Sequence, residues 1–151
     1  MSIVFWSHSR QCRELSTFRG GPIELDGKCW PSVEHYYQAQ KFAGSPMEEA
    51  VREAPTPQAA RKLARSPSPY FVDDWDSRRL KVMSRALEAK FKQNGDLREL
   101  LLSTGDEELV HWSRHDCFWG RRSDSIGENM LGRLLMDLRR RLRGARKGER
   151  S

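Results

Sequence analysis

Apolar and polar positions along the chain change period several times, and each change predicts an element. Ile3 to Trp6 is a short apolar run that reads as a strand. Residues 22–30 (Pro-Ile-Glu-Leu-Asp-Gly-Lys-Cys-Trp) alternate around Asp26-Gly27, which predicts a tight hairpin. From Pro31 the period becomes helical, with Pro31 suited to the first turn. Val33, Tyr36 and Gln40 share one stripe of this helix, and Glu34, Tyr37, Gln38 and Lys41 share another. Ser45-Pro46-Met47-Glu48 has the form of a capping box and starts a short helix that stops near Pro55. Thr56-Pro57 starts another, to about Ala64, and Ser66-Pro67-Ser68-Pro69 then breaks the chain as a loop within one domain. From Asp74 to Gln93, Leu80, Met83, Leu87 and Phe91 recur at helical spacing. Asn94-Gly95 ends that helix, and Asp96 is placed to cap the next, Leu97 to Leu102. Leu109-Val110 reads as a short strand and residues 113–128 as an irregular loop. Asn129 to Arg143 reads as a last helix with Leu131, Leu134, Leu135 and Leu138 inward. The expectation is a mostly helical α+β fold with a few short strands near the N-terminus. It comprises one compact domain over residues 1–143 and a basic, flexible tail over 144–151.

Composition narrows this picture. A chain of 151 residues, 37% hydrophobic, with five Trp, six Phe and three Tyr, has bulk for one modest core, which argues against general disorder. No window approaches the roughly 18–20 apolar residues of a membrane span, and Met1 to Trp6 lacks the basic lead and long apolar run of a secretory signal. Cys12, Cys29 and Cys117 have no CxxC spacing, which argues against a disulfide scaffold or a Cys-based zinc site and fits a reducing cytoplasm. The formal net charge of +6 is carried entirely by residues 133–151, where eight basic residues face only Asp137 and Glu149. Such a segment reads either as a solvated helix end or as a patch that holds phosphate or nucleic acid. The pattern carries no signal for an oligomeric state.

Phosphate-loop, dinucleotide, nucleophile-elbow and zinc-protease signatures are absent. His111 and His115 lie four apart with no third ligand, so no metal is expected, and Cys117 has no positioned base. What remains is carboxylates set among aromatics: Glu34 beside Tyr36-Tyr37, and Asp116 before Phe118-Trp119-Gly120. Aromatic walls exclude water and suit a carboxylate to general acid–base work. Two such groups across a cleft could cleave a glycosidic bond, although a salt-bridged carboxylate is the default for either one alone. Lys41 lies seven residues after Glu34, about two turns along the same face, where the two could bracket a bound group.

Residues 30–42, Trp-Pro-Ser-Val-Glu-His-Tyr-Tyr-Gln-Ala-Gln-Lys-Phe, resemble the signature of the NADAR superfamily, which includes the YbiA-like N-glycosidases. Further segments agree in order: Leu25-Asp26-Gly27, Trp75, Ala89-Lys90-Phe91, Thr104-Gly105-Asp106, Phe118-Trp119-Gly120 and Asn129 with Leu131-Gly132. The resemblance covers about residues 3–142. It implies hydrolysis of an N-glycosidic bond at a ribose C1, with water as co-substrate and no cofactor. Two substrate classes follow from it. One is the phosphoribosyl-aminopyrimidine intermediates of riboflavin biosynthesis; the other is ADP-ribose on guanine in nucleic acid. A module that binds NAD or ADP-ribose without turnover is the third reading.

The resemblance also implies roles. Glu34 would be the acid/base. Asp116 would hold the ribose hydroxyls or the base, or share the proton work. Trp75 would stack on the base, with Tyr37 beside it. Lys41 would neutralise phosphate or attack an opened ribose aldehyde. Trp119, Gly120 and Asn129 would shape the phosphate and ribose pocket, with Asn129 at a helix N-terminus suited to phosphate. Where the family is glycine-rich, this chain reads Arg121-Arg122-Ser123-Asp124-Ser125-Ile126. The two guanidinium forks could grip phosphate or, with the basic C-terminus, nucleic acid.

Overall fold

The Asp-Gly turn forms as its residues dictate. In the computed structural model, which describes residues 1–150 and side chains through residue 146, β2 (Ile23–Leu25) pairs antiparallel with β3 (Lys28–Trp30), and Ile23 faces Trp30. Asp26 and Gly27 take φ of 55° and 75°. Positive φ at both central residues is what a hairpin of right-twisted strands requires.

Contacts divide the chain into two compact units, Gly20–Gln93, and Met1–Arg19 with Asn94–Ser151. The first unit holds the hairpin and four helices: α1 (Val33–Gln40), α2 (Pro46–Arg52), α3 (Pro57–Ala64) and α4 (Trp75–Gln93). Helix α1 is its centre and packs against α2, α3 and α4. Every residue from Val33 to Ala39 is buried, polar ones included. Ser32 caps α1 by accepting from the His35 N–H, so Pro31 precedes the cap and does not lie in the first turn as expected. Ser45 and Thr56 cap α2 and α3 in the same way, each followed by proline. Glu48 departs from the expected capping box: its carboxylate takes the Gly44 N–H. On α4, Met83, Leu87 and Phe91 are buried, but Leu80 is 38% exposed and leaves the expected stripe. Tyr36 binds the hairpin to the helices. Its hydroxyl donates to Asp26 at 2.7 Å, and Arg85 of α4 donates to the other oxygen of Asp26 at 2.7 Å. The guanidinium holds the Asp26 carboxyl below its usual range, and burial pushes the Tyr36 phenol up.

In the second unit β1 (Ser2–Phe5) pairs in parallel with β4 (Glu108–His111), with Ile3 opposite Leu109. The sheet is therefore not confined to the N-terminus. A parallel pair needs a long crossover, and the intervening chain supplies it. Helix α5 (Gly95–Ser103) is capped by Asn94, whose side chain accepts from Leu97 N–H; the cap is not Asp96. Helix α6 (Met130–Arg150) packs on β4 and α5 and buries Leu131, Leu135 and Leu138, with Leu134 half-buried.

Helix α6 also runs well past Arg143, the end that spacing suggested. Its arginines anchor it, and cations suit a helix C-terminus. Arg139 is buried on Thr104 Oγ1 at 2.8 Å, Arg143 donates to Asp106 and to the Gly105 carbonyl, and Arg146 reaches Glu99. Residues 144–150 are thus helical, while Ser151 lies outside the described residues. The architecture is α+β and mostly helical. Among the described residues no helix is long and apolar enough to cross a membrane.

Candidate active site

Burying a carboxylate is costly unless donors meet it. Glu34, on the first turn of α1, is 2% exposed. Two donors converge on its Oε1: Gln38 Nε2 at 2.7 Å, one turn on, and Arg61 Nε at 3.2 Å, from α3. The carboxylate is held in place by both, and only the Arg61 side chain, 39% exposed, reaches solvent.

The rest of the stripe lines up behind Glu34. Tyr37 is buried, and its ring lies 5.2 Å from that of Trp75, at 60°. Trp75 opens α4 and is itself 6% exposed. Lys41 caps the C-terminal end of α1, half-buried, with Nζ 5.7 Å from the centre of the Tyr37 ring. Its carbonyl accepts from Val72 N–H, which ties the loop before α4 to α1. Glu34, Tyr37, Lys41 and Trp75 are therefore gathered in one unit, as acid, aromatic wall and cation.

His35 serves the scaffold. It is buried, with Nε2 3.0 Å from the Ala54 carbonyl and Nδ1 2.7 Å from Ser32 Oγ. The carbonyl requires a proton on Nε2, so Nδ1 accepts from the Ser32 hydroxyl. Desolvation holds the ring below its ordinary value, against the Ala54 carbonyl and the Glu34 charge, which both act to raise it.

Asp116, Trp119, Gly120 and Asn129 lie in the other unit. Asp116 is half-buried and organises its own loop. Its Oδ1 accepts the N–H groups of Phe118 at 3.0 Å and Trp119 at 2.9 Å, and its carbonyl accepts from Gly120. Trp119 is buried edge-on to Phe118. A Cβ on Gly127, at φ 137°, would overlap the Gly120 carbonyl oxygen, so the backbones approach closely despite the arginines between them. Arg122 pairs with Asp124, and Arg121 lies 3.7 Å from Glu108.

The loop closes on Asn129 and on the start of α6. Asn129 is 1% exposed and not part of α6; it sits just before it at φ 51°. Its Oδ1 accepts the His111 N–H and its Nδ2 donates to the Leu109 carbonyl, both at 2.9 Å. It thereby acts as a strand partner for β4, and its amide is engaged there, not in an open pocket. The N-terminus of α6 is likewise occupied. The N–H groups of Met130 and Leu131 donate to the carbonyls of Phe118 and Trp119. The helix end closes the loop, and those donors are not available to phosphate.

Sequence reasoning passed over Arg61 and gave Gln38 no role. Gln38 was legible, since it stands four residues after Glu34 on one face. Arg61 was not: it lies 27 residues away on another helix.

The NADAR domain family profile matches residues 4–143. N-glycosidase YbiA of Escherichia coli (strain K12) is 41% identical over 140 residues, spanning 93% of this chain and 88% of the relative. An N-glycosidase of Nostoc punctiforme is 38% identical over 95% of this chain and 94% of its own length. A riboflavin biosynthesis protein of Vibrio vulnificus is 41% identical over 140 residues, which are 93% of this chain but 38% of that protein. The solution structure of E. coli YbiA superposes with a TM-score of 0.87 at 40% identity, covering 97% of this chain and 89% of the other.

Proposed function

The chain belongs to the NADAR domain family and is a hydrolase of N-glycosyl bonds; we propose that it cleaves the ribose C1–N bond of phosphoribosyl-aminopyrimidine intermediates of riboflavin biosynthesis. One observation carries the choice of substrate. The chain matches 38% of a larger relative named a riboflavin biosynthesis protein, so in that protein a domain of this kind shares a chain with riboflavin synthesis. The arginines favour the same reading. Several of those expected to grip a polyanion have acidic partners close by: Arg122 on Asp124, Arg141 on Asp137, Arg143 on Asp106 and Arg146 on Glu99.

Glu34 is the acid/base in this reading. Cleavage passes through an oxocarbenium-like state, which needs a proton given to the departing nitrogen or taken from water. A carboxylate held by two donors meets that need without reorganising at the moment of reaction. Trp75 and Tyr37 form the wall against which the flat base lies. Lys41, at the rim of that wall, answers the substrate phosphate. The Oδ1 of Asp116 holds its own loop by accepting from Phe118 and Trp119 N–H.

The test is hydrolysis of two substrates in parallel at equal enzyme concentration: the phosphoribosyl-aminopyrimidine and guanine-ADP-ribosylated single-stranded DNA. Release of ribose 5-phosphate from the first is the expected result. Release of ADP-ribose alone would move the substrate to modified nucleic acid. Binding of either without release would make the chain a recognition module.

A further inference from the structure

Gln38 contains an unmet hydrogen-bond demand. Its side chain is 5% exposed. The orientation of its amide is fixed by chemistry, because a carboxylate oxygen only accepts: the group 2.7 Å from Glu34 Oε1 must be the NH2. The carbonyl oxygen, Oε1, is therefore the other end, and it is buried with no hydrogen-bond partner among the described residues. An orphaned buried acceptor is costly, and such atoms are rare in native proteins. Gln38 lies in the middle of the Glu34–Lys41 stripe, next to the acid to which it is bonded.

We infer that Gln38 Oε1 accepts a hydrogen bond from the 2′-hydroxyl of the substrate ribose, an inference that rests on the N-glycosidase reading of Glu34. The geometry favours this donor over others. Glu34 acts at C1, the 2′-hydroxyl is carried by the adjacent carbon, and the Gln38 carbonyl lies one amide width beyond the hydrogen bond to the Glu34 oxygen. Access is shared: Glu34 is as covered as Gln38, so whatever admits the substrate to the acid admits it to the amide. Hydrogen bonds to the 2-hydroxyl strengthen as an oxocarbenium ion develops, so the contact would act on turnover as well as on binding. The amide would then relay position in both directions, its NH2 holding the carboxylate and its carbonyl the sugar.

The experiment is a cycle of two enzymes and two substrates. Wild type and Gln38→Met are assayed by kcat/KM on the ribosyl substrate and on its 2′-deoxy counterpart, with thermal unfolding as the check of fold. Gln38→Leu replaces the Met variant if the latter does not fold. The greater intrinsic lability of the deoxyriboside cancels when the substitution's effects on the two substrates are compared. The substitution is expected to cost at least about tenfold more on the riboside than on the deoxyriboside. Equal losses would overturn the inference, because a residue that only orients Glu34, or that contacts the base, acts alike on both. A second arm measures affinity for ribose 5-phosphate and 2-deoxyribose 5-phosphate. If wild type hydrolyses neither substrate, the N-glycosidase reading fails. The affinities then test the contact alone: a preference for ribose that disappears in the variant upholds it, and an unchanged or absent preference overturns it.

Discussion

Removing the Asn129 side chain should destabilise its unit strongly without touching a ligand. The buried amide meets two β4 backbone groups, His111 N–H and Leu109 C=O, each at 2.9 Å. Asn129→Ala leaves both unpaired, at about 1–3 kcal/mol each. It also places a Cβ-bearing residue without a local hydrogen bond at φ 51°, which adds about 1 kcal/mol. The sum, roughly 3–7 kcal/mol, is a large part of the roughly 5–15 kcal/mol by which a domain is stable. Asn129→Gly separates the terms, since it removes the amide but not the backbone conformation, and should be more stable than the alanine variant by about 1 kcal/mol. Asn129→Asp keeps the acceptor for His111 but sets an oxygen against the Leu109 carbonyl, so it should fall near the alanine variant. Urea unfolding of the four proteins reads these differences, with KM measured well below the unfolding midpoint. A loss of under about 1 kcal/mol for alanine with a large rise in KM would refute the reasoning and return Asn129 to the substrate pocket.

Other outcomes follow from the same contacts. His35 is held below its ordinary value of 6.5, so the unfolded chain binds its proton first on acidification. Stability should be flat above about pH 6.5 and fall as the pH drops below it; a urea midpoint whose slope is unchanged in His35→Gln would count against this. Arg61→Met strips an opposing charge from a buried carboxylate and should lower kcat/KM about tenfold or more, with Arg61→Lys recovering only part because it lacks the fork. Full activity in the methionine variant would show that Arg61 does not position Glu34. Arg143→Met should leave kcat/KM on the small substrate unchanged and lower the unfolding midpoint slightly, since its ion pair with Asp106 is exposed; a large activity loss would place Arg143 at the substrate.

Much of the fold was legible because local signals and tertiary packing agree. The Asp-Gly turn, the Ser45 and Thr56 caps and the Met83–Phe91 stripe each follow from a few adjacent residues. The errors fall where a distant partner decides. Strand β1 pairs with residues more than 100 positions away, and α6 continues because Arg143 and Arg146 find acids on other segments. Asn94 displaces Asp96 as a cap because either side chain can fill that role, and only the path of the chain chooses between them. The site divides in the same way. Glu34 and Tyr37 lie on one short helix and Lys41 caps its end, so their spacing already placed them on one face. The Arg61 contact depends on how α3 packs on α1, and no periodicity encodes that. Asn129 was named for its place before a helix, but its left-handed backbone turns the amide to β4.

The central claim is that the buried Glu34 carboxylate performs the proton transfer of N-glycoside hydrolysis. Glu34→Gln tests it most directly, because the amide fills the same volume and still accepts at Oε1 from Gln38 and Arg61. Ribose 5-phosphate release by wild type and variant would be followed at matched substrate occupancy, with unfolding temperature and ligand affinity measured alongside. The account predicts a fall in kcat of about 10²–10⁴-fold with fold and affinity preserved. Turnover within a few-fold of wild type would contradict it and assign the chemistry to another residue.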